Sequence, residues 1–127
     1  MMKLKALFIF NAVATVLFGT GSVLAPQALV SLFGSTLNPA GELMMRYGGV
    51  WLVGLGLLAW FCRNAPASHA RQAAVQACTV CYSLAFVVAL LAQLAKILNY
   101  LGWGTVVLNL VLGIGYAYFL FRPEYSD

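Results

Sequence analysis

Apolar side chains run through this chain in four long stretches, separated by three short breaks of differing chemistry. The first stretch, residues 4–25, opens beside Lys3 and Lys5 and closes at Ala25-Pro26. A basic start and a small closing residue imitate a secretory signal, but the apolar run is too long for an h-region, and Pro26 would follow the scissile bond. It is therefore read as a retained first helix. Residues 26–41 carry two prolines, two glycines and no charge. Within them, residues 27–33 present Ala28, Leu29, Val30, Leu32 and Phe33, enough for a short helix lying in a membrane interface. Asn38-Pro39-Ala40-Gly41 reads as a turn.

The second long helix is expected over residues 42–62, and a polar connection, RNAPASHAR, follows at 63–71. A third helix over 72–98 is long enough to require tilt. Residues 99–104, NYLGWG, form a tight turn with Tyr100 and Trp103, amphipathic aromatics suited to a membrane interface. The fourth helix runs over 104–121 and stops at Arg122-Pro123. The expected fold is all-α: an integral membrane four-helix bundle in one domain, with a short interfacial helix between helices one and two.

Composition sharpens this picture. Hydrophobic residues make up 63% of the 127 positions and charged residues 8%, and mean hydropathy is +0.92. Soluble domains carry roughly 25% charge. Seven basic and three acidic side chains cannot coat a water-soluble globule of this size. Soluble enzymes, disordered chains and nucleic-acid binders are excluded. The basic residues speak instead to topology. Lys3, Lys5, Arg63, Arg71 and Arg122 fall at the N-terminus, the second connection and the C-terminus, whereas 26–41 and 99–104 contain no Lys or Arg. Positive residues stay on the cytoplasmic side, so both termini are expected there.

Glycines give the helices smooth faces where backbones approach in lipid. Gly48, Gly49, Gly54 and Gly56 do so on the second helix and Gly113 and Gly115 on the fourth. Gly54-x-Gly56 with Ala59-Trp60-Phe61 and Arg63 echoes Gly113-x-Gly115 with Ala117-Tyr118-Phe119 and Arg122, the pattern a duplicated helical hairpin would leave.

Few polar groups remain, and each is expensive in lipid. Glu42 and Arg46, spaced i, i+4, share a helix face and can pair. Lys96, with Gln93 one turn deeper, lies at similar depth on the third helix. Together Glu42, Arg46, Gln93 and Lys96 could line an outward polar mouth holding an anionic head group or substrate. The plainer reading is that both cations snorkel to the interface separately. Asn11 and Asn109 suit hydrogen bonds between helices. His69 falls in the polar connection, where solvation is its default. No Asp or Glu sits in a helix interior to relay protons, which disfavours a proton-driven carrier.

The three cysteines are an odd number, which excludes a full disulfide framework. Cys78-Thr79-Val80-Cys81 places two thiols one turn apart, a spacing suited to disulfide exchange near a helix start. Cys62 and His69 could join them as metal ligands, although cysteine is also readily buried as a small hydrophobe. The motif followed by Tyr82 resembles the quinone-linked four-helix thiol oxidoreductases, the vitamin K epoxide reductase and disulfide-bond-forming classes. Those enzymes carry a second cysteine pair in an outer loop, and residues 26–41 hold none.

Pro26 after the first helix, Gly34 before Asn38-Pro39, Arg46-Tyr47-Gly48-Gly49 and Gly54-x-Gly56 together resemble small bacterial four-helix inner-membrane proteins, the DoxX-like proteins among them. That resemblance implies a four-helix bundle in a bacterial inner membrane without catalytic residues or cofactor. Some DoxX-like relatives accompany respiratory or thiosulfate-oxidising assemblies, so the resemblance suggests an accessory-subunit role. The leading functional expectation is thus a non-catalytic membrane protein that self-associates or serves a larger complex, with lipid and other membrane subunits as partners. A binder or transporter of lipid or small anions through the polar mouth is the second reading, and a thiol oxidoreductase through Cys78 and Cys81 the third.

Overall fold

A computed structural model describes residues 4–66 and 68–121. Lys3 and the expected stop at Arg122-Pro123 lie outside the described residues. The described residues contain four long helices and one short one, and no strand. The first, α1 (Leu4–Leu24), ends where Pro26 restricts the preceding Ala25 to a non-helical backbone. Pro26 then opens α2 (Pro26–Leu32), the short helix expected between the first two spans. It closes through Ser35 N–H to the Val30 carbonyl and Gly34 N–H to the Ser31 carbonyl. Gly34 sits between them at φ +76°, the left-handed position such a closure requires.

The expected turn at 38–41 is instead the start of α3 (Pro39–Cys62). Asn38 caps it, its side-chain oxygen accepting from Gly41 N–H at 2.7 Å, and Pro39 fills the first helical position. Asn and Pro are turn residues and helix starters alike, and here the cap wins because the chain beyond is apolar. The helix α4 (His69–Leu94) also starts early, behind the Ser68 cap, and stops short of the expected residue 98. Ile97 N–H reaches the Ala92 carbonyl and Lys96 N–H the Gln93 carbonyl, with Lys96 at φ 60°. This is the closure seen at Gly34, built with a lysine where glycine is usual. The last helix is α5 (Gly102–Phe121).

The helices associate as two antiparallel pairs, α1 with α3 and α4 with α5, and the pairs touch one another far less. Glycine sets the first crossing. A Cβ on Gly19 would meet the Gly49 carbonyl oxygen at 2.7 Å, and one on Gly49 would meet the Gly19 oxygen at 2.6 Å. Gly56 packs equally tightly on Thr15 and Val16. The smooth face expected of α3 is therefore split: Gly49 and Gly56 meet α1, while Gly48 and Gly54 have nothing within 4 Å. Gly54 and Gly113 also differ in role, since Gly113 lies against Tyr82 and Ser83 of α4.

Large buried side chains gather in one half of the bundle, where Leu4, Leu7 and Phe8 of α1 meet Val75, Tyr116 and Phe119. All four long helices are long and apolar enough to cross a membrane. Thirty-odd angstroms of hydrocarbon need about 20 apolar residues, and each helix supplies them.

Candidate functional site

Polar chemistry is confined to a few places, and the most enclosed is centred on Asn11. This side chain is 0% exposed. Its amide Nδ2 donates to the Tyr116 hydroxyl at 2.7 Å, and its Oδ1 accepts from the Tyr82 hydroxyl. The two phenol rings lie parallel, centroids 6.0 Å apart, with Phe8 tilted against Tyr116 at 5.7 Å. The Cys78 sulfur stands beside the Tyr116 hydroxyl, whose own proton is unspent by the Asn11 bond. One amide thus ties α1 to both α4 and α5, the interhelical bonding expected of Asn11. Asn109 departs from that expectation: its Nδ2 donates at 2.9 Å to Thr105 in its own helix.

At the end bearing α2, Arg46 pairs with Glu42 at 3.1 Å, as the i, i+4 spacing requires. Arg46 also donates to the Val23 carbonyl in the last turn of α1, one of the oxygens a helix end leaves without a partner. Gln27 bridges the Leu37 carbonyl at 2.9 Å and Glu42 at 3.2 Å, fixing α2 to the start of α3. The four candidate mouth residues form two separate sets. Gln93 is buried and donates to the Asn99 carbonyl at 2.8 Å, in the turn between α4 and α5. Lys96 lies beyond the end of α4 on that turn, and its ammonium has no hydrogen bond or ion pair among the described residues. Their expected common face on α4 is broken because the helix stops between them.

Asn99 fastens this turn to α2. Its N–H and side-chain amide donate to the carbonyls of Phe33 and Leu32 at 2.8 and 3.0 Å, and Ser35 Oγ donates to the Ile97 carbonyl at 2.5 Å. Backbone–side-chain closure of this kind is invisible to hydrophobic patterning, though Asn and Ser beside helix ends are its usual agents.

The three cysteines are free thiols. Cys78 is buried, Cys81 faces outward and Cys62 is half-buried, so the i, i+3 pair on α4 points to different surroundings. Because α4 begins at His69, both thiols lie well past the first turn, outside the reach of the helix-start effect expected for them. His69 is exposed. No group of three metal-ligating side chains occurs among the described residues.

Two cavities went unforeseen. Lys5, Arg63 and Arg71, taken from the sequence as topological markers only, converge with Cys62 and Asn64 around a space of about 190 Å³. Arg63 is held there over the Trp60 ring, 3.8 Å from its centroid. Arg71 donates to the Ala65 carbonyl at 3.1 Å. The second cavity, about 220 Å³, lies between the two helix pairs and is lined by residues of all four long helices.

By length, apolarity and helix pairing, the chain is of the multi-pass helical membrane class. It belongs to the family described as a domain of unknown function (DUF8292), which matches residues 1–122. No curated protein and no solved structure matches it.

Proposed function

We propose that this is a non-catalytic protein of a bacterial inner membrane, a self-associating bundle or an accessory subunit of a larger membrane complex. The observation that carries the reading is the outward face of α3. Met44, Tyr47, Trp51 and Phe61 are exposed there, Trp51 to 74%, and Gly48 and Gly54 leave open backbone between them. Small residues flanked by large ones form the surface on which a second helix seats closely in lipid. The interior, by contrast, spends its amide and phenols on holding helices together. The accessory role also draws on the sequence motifs that resemble DoxX-like proteins.

The orientation reading rests on Lys5, Arg63 and Arg71, which the fold gathers at one end of the bundle, away from α2. With four crossings both termini lie on that cytoplasmic side. The pairing of Arg46 with Glu42 and Val23 favours a structural task for that cation over an anion-holding mouth.

Native mass spectrometry of the particle extracted in mild detergent tests the proposal. Self-association yields multiples of the 13.7 kDa chain, and an accessory role yields stoichiometric foreign subunits. Gly54→Leu should dissociate either assembly without lowering the melting temperature of the remaining chain. A lone chain in every mild detergent, unchanged by that substitution, overturns the reading.

A further inference from the structure

The cavity between the helix pairs has a chemistry of its own. Ala14 and Thr15 of α1, Leu52 of α3, Tyr82 and Ala85 of α4, and Asn109 of α5 are among the residues around it. It lies between two fastenings, the Asn11 bonds on one side and the Asn99 clamp on the other. An apolar cavity of about 150 Å³ holds benzene, so a space of about 220 Å³ admits a substituted ring.

The polar lining narrows the choice. Thr15 gives its proton to the Asn11 carbonyl at 2.7 Å, and Thr105 gives its own to Gly102 at 2.7 Å. Tyr82 gives its proton to Asn11. One Asn109 N–H is spent on Thr105, and no described residue donates to the Asn109 carbonyl oxygen. The wall is otherwise almost wholly apolar, and its open hydrogen-bonding capacity is the Asn109 amide: a carbonyl oxygen with no donor among the described residues, and one remaining N–H. A guest that satisfies such a wall is neutral, mostly apolar, and brings a proton to donate.

We infer that the cleft between the pairs is a binding site for a small, lipid-soluble hydroxylated ring, a phenol in chemical class, with its hydroxyl donated to Asn109. The site is distinct from the outward face of α3. Its outcome leaves the assembly reading untouched, because one experiment reads guest binding and the other subunit mass.

The probes are p-cresol and p-xylene, which share a shape and differ by one hydroxyl. The full chain is melted in detergent with each. Linkage between binding and folding raises the melting temperature by about 5 °C at ten times the dissociation constant. That rise is expected for p-cresol, with p-xylene at least tenfold weaker. Asn109→Leu should bring the two probes to equal affinity. Ala85→Leu and, from the opposite wall, Ala14→Leu should fill the cavity and abolish both shifts; either variant that retains wild-type helicity suffices. Equal stabilisation by both probes on the native chain would make the cleft an unselective seat for acyl chains and overturn the inference. So would the absence of any shift, or a shift undiminished in the filled variants.

Discussion

Replacing Gly49 with alanine adds one methyl group at the point where α1 and α3 cross. That methyl would lie 2.6 Å from the Gly19 carbonyl oxygen and 2.9 Å from both Ser22 Cβ and Val23 Cγ2. A backbone oxygen cannot rotate away, so the helices must separate along their most intimate contact. Overpacking of this kind costs about 1–3 kcal/mol, and the better helix propensity of alanine returns up to about 1 kcal/mol. The net loss of about 1–2 kcal/mol corresponds to a melting temperature lower by about 5–10 °C. Thermal melts in detergent, followed by circular dichroism, measure it directly. Gly104→Ala is the internal control, since nothing lies within 4 Å of its Cβ position and it is off the association face of α3. Gly19→Ala meets the same crossing from the other side, so the Gly19→Ala, Gly49→Ala double variant should lose less than the sum of the singles. A Gly49→Ala chain that melts at or above the wild-type temperature would refute the close crossing.

Asn11→Leu leaves the Tyr82 and Tyr116 hydroxyls without their shared partner and should destabilise by about 1–3 kcal/mol. Adding Tyr82→Phe and Tyr116→Phe should recover part of that loss, and a melting series lacking any recovery would deny the coupling. Lys96→Gly relieves a left-handed lysine at the end of α4 and should raise stability by about 1 kcal/mol; a lower melting temperature would contradict the observed closure. A maleimide reagent should label Cys81 in the folded chain and spare Cys78 until denaturation, whereas equal labelling would place both on accessible faces.

The four long helices were legible because apolar runs of spanning length are broken by proline, glycine and charge, and that signal depends on composition alone. Boundaries were less so. Asn38-Pro39 is ambiguous between turn and cap, and only the helix beyond resolves it. Lys96 closes α4 without the glycine that normally announces such an ending. Depth along a helix could be counted, which paired Glu42 with Arg46 correctly, but rotation and partner could not. Counting alone puts Gln93 and Lys96 on one helix face, and the end of α4 at Leu94 removes it. The Tyr82–Asn11–Tyr116 bonds join residues as many as 105 positions apart. Tyr82 and Tyr116 carry no local mark of that partnership beyond being phenols in apolar helices.

The Asn99 clamp also bears on the order in which the molecule is made. Its two acceptors, the carbonyls of Leu32 and Phe33, belong to chain that leaves the ribosome well before Asn99 itself. The α1–α3 crossing is made by glycines within that pair. The α4–α5 pair follows in the chain, and Leu32 and Phe33 present two carbonyl oxygens to it. In that sense the earlier hairpin is a jig, and the later one is registered against it at two levels, by Asn99 and Ser35 at the tip and by Asn11 deeper in the bundle.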